Sequence, residues 1–234
     1  MNFDWNLDTI GWYQNANNYT GYFKNIANFV IPKVEGYSTL CDIGCGLGLI
    51  DIELCKYIDS ITCIDINKEA LKALENNIRD KKISNIYPRL MSCDDIKESW
   101  DVIFVSFFGS RNLKDFLPHC KKLIAIVGTK NHSSLFPEKY RSFHKSTTCD
   151  VEDVLNKEGI SYKLTEASFE FGQPLVSIED AENFVKTQSR NNVTSEELED
   201  FLSQRLIKTG EEQYPYFIPR MKSVGIFEIQ GGLQ

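Results

Sequence analysis

No stretch of this chain stays apolar for the roughly 18–20 residues that a bilayer-spanning helix needs. Its start, Met1-Asn-Phe-Asp-Trp5, has no cationic region leading into an apolar run. A transmembrane helix and a secretory leader are therefore not expected, and a cytoplasmic location without a membrane partner is. Positive charge is also short: 26 Lys and Arg stand against 33 Asp and Glu, giving a net charge of -7. Phosphate backbones are gripped by clustered cations, so nucleic acid is not the expected partner. There is no Cys-x-x-Cys pair either. The seven cysteines (Cys41, Cys45, Cys55, Cys63, Cys93, Cys120, Cys149) are odd in number and lie mostly in apolar surroundings, as reduced packing thiols do, and no metal site is expected from them. Internal repeats and low-complexity linkers are missing as well.

What remains is an ordinary globular composition, 42% hydrophobic and 25% charged, in a chain of 234 residues that suits one domain. From residue 38 to about 170, short β-rich runs alternate with helical stretches, the pattern of a doubly wound parallel sheet. Strands are expected at Thr39–Ile43, Ser60–Asp65, Ile86–Met91, Trp100–Phe107, Lys122–Gly128 and Ser161–Phe171, with a last one at Ser223–Gln230. The near-continuous apolar run of Trp100–Phe107 reads as a central strand buried on both faces. Ala70, Leu71, Leu74 and Ile78 fall on one helical face after the capping Asn67. Residues 1–35, rich in aromatics, read as a helical lid; 36–173 and 221–234 as the core; and 174–220, with helices at Ile178–Thr187 and Ser195–Lys208, as a helical insertion that caps the acceptor side, all within one domain.

The residues that carry chemistry are Asp42-Ile-Gly44-Cys45-Gly46-Leu-Gly48, at the end of the first strand and the start of a helix. Glycines permit positive φ there and remove Cβ atoms that would hold a ligand away, while the helix start offers unpaired N–H groups. Asp65 closes the second strand about twenty residues after Gly44, a spacing that suits a carboxylate accepting ribose hydroxyls. A dinucleotide fingerprint would carry its third glycine one position later, and Asp42 would repel a pyrophosphate but attract an ammonium.

This D-I-G-C-G-L-G segment resembles the first motif of class I S-adenosylmethionine-dependent methyltransferases, and Asp65 resembles their second, over about residues 36–130. The resemblance implies a seven-stranded, mostly parallel Rossmann-like sheet and S-adenosylmethionine as cofactor. It implies that Gly44, Cys45 and Gly46 line the methionine part, with Gly48 completing the turn and Asp42 helping through its carboxylate. Asp65 would hold the ribose, Ile66 would pack on the adenine, and Asp94, with Asp95 and Ile96 beside it, would meet the adenine amino group. Ser106, Phe107 and Phe108, at the end of the fourth strand, would border the reacting methyl. Family members acting on amino groups of adenine or glutamine in macromolecules resemble Asn/Asp-Pro-Pro-Tyr/Phe at that place, and this chain has neither the proline nor the amide.

In the aromatic N-terminal segment, Tyr13 and Tyr19 are candidate cofactor contacts. The loop after the fifth strand gathers Lys130, His132, Lys139, Arg141, His144 and Lys145; Lys139 and Arg141 would attract an anionic acceptor, and His132 or His144 would serve as general base. The reading is methyl transfer to a small molecule by direct in-line displacement. An RNA methyltransferase, a nicotinamide-dependent oxidoreductase and a non-catalytic cofactor-binding protein stand as the alternatives.

Overall fold

The computed structural model describes residues 4–107, 110–130, 133–141 and 146–233, with the backbone alone at 110–112. Its centre is a seven-stranded sheet built from β1 (Thr39–Ile43), β2 (Ser60–Asp65), β3 (Ile86–Leu90), β4 (Trp100–Ser106), β5 (Cys120–Gly128), β6 (Tyr162–Glu170) and, at the end of the chain, β10 (Met221–Gln230). The order is β3-β2-β1-β4-β5-β10-β6. The first five strands run parallel, and β10 lies antiparallel between β5 and β6. The winding reverses between β1 and β4, which opens a crevice at their carboxyl ends, where open α/β sheets bind ligands.

Period-two alternation along the strands sorts the side chains into two cores. Leu40, Val102, Phe104, Ile124, Ile126, Val224 and Ile226 pack on one face, and Cys41, Ile43, Ile103, Val105, Leu123, Ala125, Val127, Phe227 and Ile229 on the other. The first face is covered by α2 (Tyr22–Val34) through Tyr22, Ile26 and Val30, by α3 (Leu49–Leu54), and by α4 (Lys68–Asp80) through Leu71 and Leu74. The second is covered by α5 (Thr148–Lys157) and the 3-10 stretch Ser110–His119, through Val151, Leu155, Leu113 and Phe116. Both faces of the central strands are therefore largely dry, which is why Val102–Val105 and Leu123–Val127 are apolar without interruption.

The N-terminal segment forms two helices rather than one. α1 (Leu7–Thr20) begins at a capping box in which Asn6 and Thr9 satisfy each other's backbone N–H groups, and it ends at Gly21 in the left-handed region, φ 66°. The insertion before the last strand also differs from a purely helical reading. Besides α6 (Ile178–Gln188) and α7 (Ser195–Arg205) it holds a small antiparallel sheet of β7 (Gln173–Leu175), β8 (Ile207–Lys208) and β9 (Tyr216–Ile218), in the order β7-β9-β8. α1 is pinned to it: Trp12 stands edge-on to Phe184 and its Nε1–H donates to Asp180 Oδ1 at 2.9 Å, while Gln173 Nε2 donates to the Trp12 carbonyl. Among the described residues no helix is long and apolar enough to cross a membrane.

Candidate functional site

At the β1–α3 junction the backbone bends through three glycines with positive φ, Gly44 at 73°, Gly46 at 54° and Gly48 at 61°. The bend is tied to the neighbouring strand, since the N–H groups of Gly44 and Cys45 both donate to the Ile64 carbonyl, at 2.8 and 3.1 Å. Gly46 N–H donates to Asp65 Oδ2 at 2.8 Å, and Asn67 N–H to Asp65 Oδ1 at 2.8 Å. Each carboxylate oxygen keeps a further lone pair, so Asp65 retains acceptor capacity toward a diol. A Cβ on Gly48 would lie 2.4 Å from Leu74 Cδ1, so that glycine also lets α4 pack close to the turn.

Two acids lie beneath the bend. Asp42, on the face of β1 that carries Leu40, and Asp51, on the first turn of α3, are both fully buried. Neither Asp51 carboxyl oxygen nor Asp42 Oδ1 has another hydrogen-bond partner, and burying two bare carboxylates side by side is prohibitive. Burial and the Asp51 charge hold the Asp42 carboxyl well above the usual carboxylate range. Burial raises Asp51 as well, while a hydrogen bond from Asp42 works the other way. Burial therefore favours the protonated form at this pair, most strongly at Asp42.

Around this floor, Ile66 is 55% exposed although strongly apolar, and Leu90, at the end of β3, is 53% exposed. The 3-10 turn Cys93–Asp95 follows, with Ser92 Oγ accepting from Asp94 N–H; Asp94 and Asp95 point to solvent and Ile96 packs partly on the second core. On the other side of the turn stands Trp5, whose ring comes within 3.2 Å of where a Gly46 Cβ would be. From Trp5 a wall of rings continues: Trp5 against Tyr13 at 5.2 Å, Tyr13 against Phe171 at 5.2 Å, Phe171 stacked on Tyr22 at 4.2 Å, and Tyr22 stacked on Phe107 at 6.5 Å. Phe107 follows Ser106 at the end of β4 with φ 57° and stays in the ladder by donating its N–H to the Ile126 carbonyl.

The structure therefore brings together Asp42, Gly44, Cys45, Gly46, Gly48, Asp65, Ile66 and Tyr13, with Ser106 and Phe107 at the far end of the ring wall. Tyr19 sits elsewhere: its partners are Glu211, Tyr214 and Phe217 on the insertion. Lys139 pairs with Glu197, and Arg141 lies 3.7 Å from Glu138. His132, His144, Lys145 and Phe108 lie outside the described residues. Reading the sequence missed Trp5 as a neighbour of the turn and missed Asp51 altogether, although the spacing Asp42-x8-Asp51 across a strand-to-helix bend was visible.

The donor set fits an adenosyl amino acid. The turn lacks the Cβ atoms that would block close approach, Asp65 offers a carboxylate at the height of a ribose, and Ile66 presents a bare apolar surface next to it. Asp42 and Asp51 lie buried beneath the turn.

Comparison with known proteins agrees with this geometry. Residues 40–128 match the family described as a methyltransferase domain. Similar folds among solved structures include the YcgJ protein of Bacillus subtilis, with TM-score 0.54 and 11% identity over 88% of this chain and 98% of that one. A SAM-dependent methyltransferase from Aquifex aeolicus has TM-score 0.52 and 14% identity over 87% and 89% of the two chains. The precorrin-6y C5,15-methyltransferase of Geobacter metallireducens has TM-score 0.52 and 11% identity over 88% and 87%. At such identities the structural likenesses establish the fold, and the match over residues 40–128 places the methyltransferase-domain likeness on β1 to β5. Residues 40–128 accordingly form a region similar to the methyltransferase-domain family, for which S-adenosylmethionine is the cofactor.

Proposed function

We propose that the chain methylates a small molecule by direct in-line displacement, with the acceptor seated over the ring wall between Phe107 and Phe171. The observation that carries this reading is the wall itself. Five rings run without a break from the glycine turn to the end of β4; Tyr22 and Phe171 are buried in the core, and the partly exposed Trp5, Tyr13 and Phe107 offer apolar edges suited to a compact, partly apolar acceptor. The acidic balance of the chain supports the same reading, as does the matching of Lys139 by Glu197, since a nucleic-acid surface would need a stripe of uncommitted cations.

In this reading Gly44, Cys45 and Gly46 hold the methionine part of the cofactor, Asp65 the ribose, Ile66 one adenine face and Asp94 the adenine amino group. The bound cofactor supplies an already activated sulfonium methyl. The protein's own work is then alignment and the exclusion of water. The Asp65–Gly46 hydrogen bond fixes the turn against β2, so the methionine and ribose subsites keep their spacing. Ser106 and Phe107 set the end of β4, and the strained φ of Phe107 turns its ring toward Tyr22. Tyr13, Tyr22 and Phe171 keep water from the acceptor side. A base is required only if the attacking atom must shed a proton, and His132 and His144 are the candidates for that role.

The test is incubation of the intact protein with methyl-labelled cofactor and either a small-molecule metabolite extract or an RNA fraction. Label moving into the small-molecule fraction is the expected result. Label moving into RNA overturns the acceptor class, and cofactor binding without transfer to either overturns the catalytic reading.

A further inference from the structure

Two cations stand over the acceptor end of the ring wall, and neither was singled out by any sequence motif. Arg220 immediately precedes β10, and Lys222 is its second residue. Because β10 runs antiparallel to β5, with Val224 opposite Gly128, the start of β10 lies at the edge where β4 and β5 end. Lys222 shares its strand face with Val224 and Ile226, the face α2 covers. Its Nζ lies 3.4 Å from the centroid of the Phe107 ring, 5.0 Å from that of Tyr22 and 5.3 Å from that of Phe171. The Arg220 guanidinium lies 5.1 Å from the Phe171 centroid, and its Nε–H donates to the Phe171 carbonyl at 2.9 Å.

The surroundings of Arg220 are unusual for a half-buried guanidinium. Burial holds it down to about 10, still charged at neutral pH, and the groups that act on it are the phenols of Tyr13 and Tyr22 and the cation of Arg141. Among the described residues Arg220 makes no ion pair. The Tyr22 hydroxyl beside it is wholly buried and has no hydrogen-bond partner. A buried polar group of this kind carries a free-energy penalty unless something completes it. An acidic protein has thus drawn cations and an orphaned hydroxyl together at one end of an apolar wall.

We propose that Arg220 and Lys222 bind an anionic group on the methyl acceptor, a carboxylate or a phosphate ester, and so hold the acceptor's attacking atom over Phe107. The terminal guanidinium nitrogens and the lysine ammonium supply the charge. The partly exposed rings of Phe107 and Tyr13 take the apolar body of the molecule. This places acceptor recognition at the start of β10 rather than on the loop residues Lys139 and Arg141. The inference rests on the reading of the glycine turn as the cofactor site and of the ring wall as the acceptor site.

The test is calorimetric titration of the intact chain, saturated with S-adenosylhomocysteine, with benzoate, phenyl phosphate and uncharged benzyl alcohol. The expected result is that one or both anions bind at least tenfold more tightly than benzyl alcohol, and that Arg220→Gln or Lys222→Gln removes the preference while Arg220→Lys keeps part of it. Which anion binds distinguishes a carboxylate from a phosphate acceptor. Equal binding of benzyl alcohol, a preference that survives in both Gln variants, or no binding of any probe to protein that holds S-adenosylhomocysteine overturns the anion site. Failure to bind S-adenosylhomocysteine in the first place overturns the cofactor reading beneath it instead. Retained S-adenosylhomocysteine affinity in each variant reports that the fold is intact.

Discussion

The backbone N–H of Gly46 donates to Asp65 Oδ2 at 2.8 Å, so the glycine turn and the end of the adjacent strand form one unit. The carboxylate has a structural duty toward the turn and a binding duty toward a ribose. Asp65→Ala is expected to weaken S-adenosylhomocysteine binding at least tenfold, on the scale of about 1.5–3 kcal/mol for hydrogen bonds to a charged group. Calorimetry on the variant, alongside its thermal unfolding, checks both duties. Asp65→Asn keeps an oxygen acceptor and is expected to fall between the wild type and the alanine variant in both measurements.

Gly48 separates packing from binding. A side chain there meets Leu74 and must also adopt φ 61°. Left-handed backbone alone costs about 1–2 kcal/mol for a residue with a Cβ, and overpacking adds about 1–3 kcal/mol. Gly48→Ala is therefore expected to lower stability by at least about 2 kcal/mol in denaturant unfolding. A change within a few tenths would contradict the close approach of α4.

The Asp42–Asp51 pair has a signed pH dependence. Both carboxyls are raised in the folded protein, so the proton-bound form is favoured by folding. Their contribution to stability is complete below the carboxylate pKa of the unfolded chain and is lost as pH rises through the higher values of the folded state. Replacing Asp51 by Asn removes the second ionisation while its amide oxygen still accepts from Asp42. Asp51→Asn is expected to raise stability at pH 7 by about 1–3 kcal/mol, with the gain vanishing toward pH 4. Denaturant unfolding at several pH values checks this; a gain that grows on acidification would reverse the sign and sink the account of a pair whose protonated form burial favours.

Trp5 lies against the place where a Gly46 side chain would be, and edge-on to Tyr13. A ligand entering the turn changes the surroundings of that indole. Adding S-adenosylhomocysteine is expected to shift tryptophan emission in the wild type and in Trp12→Phe, and to leave Trp5→Phe nearly silent. A shift of full size in Trp5→Phe would separate the N-terminal segment from the cofactor site.

The central parallel strands were legible because they are buried on both faces and therefore hold apolar runs such as Val102–Val105, whereas β3, at the sheet edge, is only partly buried. The glycine turn and Asp65 were legible because their chemistry depends on local spacing. The small sheet of the insertion was not, because β7, β8 and β9 are two or three residues long and alternation needs more positions to register. The break at Gly21 was hidden in an aromatic run that reads as one helix. Arg220 and Lys222 escaped notice for a different reason. Their meaning comes from β10 returning between β5 and β6, which places Lys222 over Phe107, over a hundred positions earlier in the chain, and Arg220 over Phe171, and no local pattern records such a neighbourhood.

The central claim, that the β1–α3 bend with Asp65 holds an adenosyl amino acid, is tested most directly by calorimetric titration of the intact folded chain with S-adenosylmethionine, S-adenosylhomocysteine and NADH. The expected result is saturable one-to-one binding of the first two and none of NADH. Binding of NADH alone, or no heat with any of the three, would contradict it.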